Sequence, residues 1–219
     1  MKIIESLDEA LYTVMGWLVF YPITLSRALV RPLRMMAYAD REVSDSPEQQ
    51  YDDAIRPPLF LFLTLLISHG IENAVIGENP LMKDRHGLSA LVDSDLALLT
   101  MRLIMFSLFT LMMAVRLLRR QGVRLTHENL RRPFYGQCFI TAPLALLVGL
   151  GALSLDALHP FLLWGGRALT LTALIWYIAV QTIWFARKLN ISSFAGFAQA
   201  ATAMAYATMM FVVLALLIV

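Results

Sequence analysis

The chain has 219 residues, of which 58% are hydrophobic and only 16% charged, outside the soluble globular range where about a quarter carry charge. A formal net charge of +2 is too small to argue for a nucleic-acid partner. The single cysteine, Cys138, rules out an intramolecular disulfide and a cysteine-cluster zinc site. The apolar residues arrive in long, nearly unbroken blocks instead of at the period of one buried face, so the implied solvent is lipid. Residues 96–118, LALLTMRLIMFSLFTLMMAVRLL, set the scale: 23 helical residues rise ~34 Å against ~30 Å of hydrocarbon. The expected class is an all-α, polytopic transmembrane bundle.

The first residues carry Lys2 but then Glu5, Asp8 and Glu9, the wrong charge for the n-region of a signal peptide, so a mature N-terminus is expected. Residues 10–24 are apolar for a length short for crossing, and Arg27, Arg31 and Arg34 follow at spacings of 4 and 3 on one helical face. Leu25, Leu29, Leu33 and Met36 fall largely on the other side. Residues 1–37 therefore read as an amphipathic segment in the headgroup plane, broken or kinked at Pro32. A tilted or re-entrant span is the alternative. Residues 38–58 turn polar and end in Pro57-Pro58, an aqueous loop whose prolines suit the first turn of a following helix.

Five spans are expected within 59–219, at about 59–76, 96–118, 134–155, 161–185 and 194–219. A hydrated turn at 77–95, with a short surface helix at 88–92, separates the first two. Pro143, Gly149 and Gly151 permit a kink and close approach in the third span. Trp164 and Trp184 bracket the fourth at its two interfaces. In the fifth, Gly196/Ala200 and Ala201/Ala205 offer small-residue faces for helix contacts. Lys and Arg number five over 27–58, two over 77–95, six over 116–132, none over 156–160 and two over 186–193. That alternation puts the long N-terminal loop on the cytoplasmic side, the C-terminus on the outer side, and the chain in a bacterial inner membrane.

The stretches YDDAIRPPLFLF at 51–62, FYGQCFITAPLALL at 134–147 and NISSFAGFAQAATAMAY at 190–206 sit in an arrangement similar to the Yip family of five-span membrane proteins. The resemblance covers about 50–219 and implies a cytoplasmic N-terminal region, closely spaced helices and a short external C-terminus. Bacterial members are usually called membrane proteins or permeases without a settled activity, so it bears on fold more than on function.

An ionisable residue in hydrocarbon costs ~2.5–3.5 kcal/mol on the insertion scale, so each one asks for a partner or a wet cavity. Glu72, Arg102 and Arg167 share a depth near the outer ends of their spans, with His69 and Asn73 beside Glu72. They could line an outward-facing pocket for an anionic or amphipathic ligand, as in a permease or transporter component. The alternative is a structural pair of Glu72 with one arginine while the other snorkels to the headgroups. Gln137, Gln181 and Gln199 could hydrogen-bond between helices. Arg116, Arg119, Arg120, Arg124, Arg131 and Arg132 follow the positive-inside rule and, with Arg27, Arg31 and Arg34, form a basic membrane surface for lipids or an acidic partner. A thioether path for copper is conceivable, but the methionines do not isolate one face.

His127-Glu128 forms no HExxH, and phosphate loops, GxSxG elbows and paired carboxylates are missing, so no catalytic residue, metal site or cofactor is expected. Expected partners are membrane lipids and a second copy or partner membrane subunit. Two functions follow: a permease component, or a non-transporting scaffold that organises lipids and membrane proteins.

Overall fold

The computed structural model describes residues 2–44, 50–76, 95–154 and 160–218. The helices are α1 Lys2–Val30, α2 Pro32–Glu42, α3 Pro57–Ile76, α4 Asp95–Gln121, α5 His127–Ala152, α6 Pro160–Leu189 and α7 Ser193–Ile218, with no strand among the described residues. Helices α3 to α7 are each long and apolar enough to cross a membrane, which fits an integral membrane protein of the expected architecture. The expected turns at 77–95 and 156–160, with Lys83, Arg85 and the short helix at 88–92, lie outside the described residues except for Asp95 and Pro160, which open α4 and α6.

Helix ends follow local chemistry. Pro32 occupies the first turn of α2, and Pro57 opens α3, positions where a missing N–H costs nothing. Helix α5 starts earlier than the expected 134. Thr126 caps it, its Oγ1 accepting from Asn129 N at 3.2 Å, so part of the arginine-rich stretch read as loop is helical. At the end of α6, Asn190 takes a left-handed φ of 53°, and Ile191 N donates to Ala186 O at 3.0 Å, closing the helix.

The spans alternate in direction around α5, whose apolar window is 61% buried against 17% in α7. Ser68 of α3 lies where a side chain on Gly149 would sit, and Gly166 of α6 crowds Gly151 in the same way, as the close-approach reading expects. Thr110 of α4 donates to Thr141 of α5 at 3.1 Å, and Gln137 and Gln181 exchange hydrogen bonds at 3.0 and 2.5 Å between α5 and α6. Helix α7 packs on α6 and α4 through Gly196, Ala200, Ala203 and Ala207. Ala201 and Ala205, the second expected small-residue face, are exposed. Of the two tryptophans expected to bracket the span, Trp184 is buried, with Lys188 Nζ 4.8 Å from its ring centroid, whereas Trp164 is exposed. Polarity is arranged for lipid: Gln137 and Gln181 are 0% exposed while Phe161 is 86% and Ile175 67% exposed.

The segment 38–58 is not the free loop its composition suggests. Residues 38–42 complete α2, and Tyr51, Ala54 and Ile55 are buried in the core. Tyr51 adopts a left-handed φ of 64°, a strained choice for an aromatic residue, and is held there by packing near Tyr38, Tyr135 and Phe139. Its N–H donates to Glu42 Oε2 at 2.5 Å. The arm formed by α1 and α2 is fastened at the same end. Arg27 pairs with Asp53 at 2.8 Å, Ile55 N donates to Thr24 Oγ1 at 3.2 Å, and Tyr21 donates to Thr64 Oγ1 at 3.2 Å. Tyr12, Met15, Val19 and Phe20 of α1 border a cavity of about 630 Å³ shared with 51–59.

Tyr38 donates to Asp53 Oδ1 at 2.6 Å. That bond, followed by the Arg27 guanidinium, holds the Asp53 carboxyl below its usual value against the opposing effect of burial. Burial, then Asp53, pushes the Tyr38 phenol up. A carboxyl depressed on folding stabilises fully above its unfolded value of ~3.9 and ceases to do so as pH falls through the folded value. The mobility of a spin label at position 52 is therefore expected to rise only below about pH 4. In Asp53→Asn it should be high and independent of pH; a pH step surviving in that variant would assign it to another group.

Candidate functional site

At the end of the bundle where α3 finishes and α4 begins, Glu72 and Arg102 form an ion pair at 2.5 Å, their side chains 8% and 18% exposed. Asn73 Nδ2 donates to His69 Nε2 at 3.4 Å, one helical turn apart on α3. The same His69 nitrogen lies 3.8 Å from Asp95 Oδ1. Among the described residues, His69 Nδ1 and Asn73 Oδ1 are buried without a hydrogen-bond partner. Four of the five expected site residues, His69, Glu72, Asn73 and Arg102, thus stand on the facing ends of two helices. Arg167 has a different neighbour: it is exposed, with its guanidinium 5.3 Å from the Trp164 ring centroid. Asp95, expected in the hydrated turn, instead opens α4. Its spacing of seven from Arg102 places both on one face of α4, and that was the available signal.

Most of the basic residues gather at the other end. The expected single arginine face of Arg27, Arg31 and Arg34 does not form, because Arg31 falls at the break between α1 and α2. Arg27 instead ties the arm to Asp53, while Arg31 and Arg34 are exposed. Arg131 donates to Gln50 Oε1 at 3.0 Å and stacks over Tyr135, and Arg132 donates to Ser44 at 2.7 Å. Lys188 pairs with Asp40 at 2.5 Å. These contacts enclose a cavity of about 460 Å³ between α2 and the α4–α5 turn, lined by Asp40, Glu128, Arg131, Arg132 and Lys188 among others.

Arg124 is exposed on the turn itself. Gln199 of α7 accepts from the Nε–H of Arg116 at 2.9 Å and of Arg120 at 2.8 Å. Its expected role as an interhelical hydrogen-bonding residue holds, but its double use by two arginines was not legible from spacing. Among the described residues, no ion pair joins a carboxylate to Arg116, Arg119 or Arg120.

The family models, the curated proteins and the solved structures contain no match to this chain.

Proposed function

We propose that the protein is a non-transporting membrane organiser whose arginine-rich end faces the cytoplasm and binds anionic lipids and a partner membrane protein. The observation that carries this reading is the α1–α2 arm. It is fastened to the bundle by Tyr21, Thr24 and Arg27, yet it leaves Leu11, Tyr12, Met15, Leu18 and Val19 exposed on α1. A helix anchored at one end with its apolar side open, beside exposed arginines, suits a headgroup plane. Its side of the membrane follows from the Lys/Arg excess in the same loops. The proposal includes a Yip-like organisation of five spans behind a basic N-terminal region.

A permease-type role at the opposite end is the second reading. It is favoured by the unpartnered His69 Nδ1 and Asn73 Oδ1 beside the Glu72–Arg102 pair, two polar atoms to which a ligand could bind.

Lipid analysis of the protein extracted gently from its own membrane tests the first reading. The co-purified lipid should be richer in anionic species than the surrounding membrane, and the excess should fall when Arg34, Arg41, Arg124 and Arg132 are changed together to Gln. A co-purified lipid of bulk composition would reject the lipid-binding role.

A further inference from the structure

A groove of about 440 Å³ runs between α4 and α7, lined by Arg116 and Arg119 at one end and by Met112, Tyr206, Met209 and Val213 along its length. We infer that this groove is a binding site for one anionic phospholipid of the leaflet at the arginine-rich end, the phosphate on Arg116 and Arg119 and an acyl chain against the methionines. The inference rests on the lipid-binding reading above and gives it a place and a stoichiometry.

The head of the site is prepared electrostatically. Arg116, Arg119 and Arg120 crowd onto little more than one turn of α4, where like charges repel. Gln199 fixes two of them through their Nε–H groups but is neutral, so it orients the guanidiniums without discharging them. The terminal N–H groups of Arg116 and Arg120 are not used by those bonds, and a phosphate matches their planar geometry. With no carboxylate ion-paired to this trio among the described residues, an anion is the group that would relieve the repulsion.

The rest of the groove selects against a soluble anion. Met112 lies one turn from Arg116 towards the other end of α4. On α7, Gln199, Tyr206, Met210 and Val213 recur at steps of seven, four and three, on one face. Tyr206 is 50% exposed, Met209 59% and Val213 48%, so the trough is open to its surroundings. From Tyr206 to Val213 the helix rises ~10 Å, a length an acyl chain can follow, and flexible thioether side chains adapt to such a chain.

The test is native mass spectrometry of the delipidated full-length protein titrated with phosphatidylglycerol and, separately, phosphatidylcholine. The first phosphatidylglycerol should bind more tightly than phosphatidylcholine, and Arg116→Gln/Arg119→Gln should weaken it by about tenfold or more. Arg116→Lys/Arg119→Lys, which keeps the charge but not the planar fork, should still prefer phosphatidylglycerol to phosphatidylcholine and bind it with an affinity between those of the original protein and the Gln variant, which separates charge from misfolding. Met209→Trp, which narrows the apolar trough and leaves the arginines in place, should weaken the same first lipid. Equal binding of the two lipids, or a first phosphatidylglycerol indifferent to Met209→Trp, would overturn the site. So would a dimer that Met209→Trp dissociates without any dependence on lipid, which would make a second copy the occupant. Anionic enrichment in the native membrane with no groove-dependent first lipid would remove this site and keep the wider reading. A groove-dependent first lipid within bulk-like total lipid would do the reverse.

Discussion

Glu72→Gln is expected to destabilise the protein by about 3 kcal/mol, because it strands the Arg102 guanidinium in a largely buried setting after removing the partner that neutralised it. Arg102→Gln removes the ion-pair partner of the more buried Glu72 carboxylate and should also destabilise the protein. The double variant should cost clearly less than the sum, since two amides facing each other can hydrogen-bond and no charge is left in hydrocarbon. The measurement is a double-mutant cycle on unfolding in mixed micelles, with a coupling energy of at least about 1 kcal/mol expected. Additive costs would mean that each residue is satisfied by something other than its partner. The same variants separate the two functional readings. A structural pair loses stability and recovers it in the double variant, whereas a ligand site loses binding in all three, the double included. Partial snorkelling of Arg102, with its long stem, is the effect that would shrink its share.

How much of this was legible in the sequence depends on whether a property lies along a helix or around it. The lengths and places of the spans come from unbroken apolar runs, and α3 to α7 fall close to where those runs predict. Depth was equally legible: Glu72 and Arg102 were expected at one level and do meet. Rotation about each helix axis was not. Arg167, expected at that depth, turns to Trp164, and Trp184, at the end of its run, turns inward to the core.

The burial within 51–55 escaped the sequence for a different reason. Tyr51, Ala54 and Ile55 are isolated among acids and glutamines, too few for any period, and their burial depends on a left-handed backbone at Tyr51 that the aromatic cluster imposes from outside the segment. Gln199 shows the same limit. Its place in the fifth span was plain, but that it faces Arg116 and Arg120 follows from how α7 rotates against α4.

Gly196→Val is expected to be the most damaging single change on the surface between α6 and α7. A Cβ at this position would lie 2.6 Å from Thr182 O and 3.0 Å from Ala186 N, and both are backbone atoms that cannot rotate aside. The helices must then separate along the stripe of Ala200, Ala203 and Ala207, all at or near zero exposure. Overpacking of this kind costs about 1–3 kcal/mol, and the upper end applies because the obstruction is main chain. Gln199 lies three residues on, so moving α7 also pulls its oxygen from Arg116 and Arg120. Ala201→Val, on the exposed side of the next turn, should change stability by less than about 0.5 kcal/mol. Thermal unfolding midpoints of the two variants in one detergent give the comparison, and equal midpoints would contradict the close approach of α6 and α7. A large loss confined to Gly196→Val, accompanied by weaker binding of the first phosphatidylglycerol, would tie the packing of α7 to the groove, since the residue that orients the two arginines is carried by the helix that the glycine lets in.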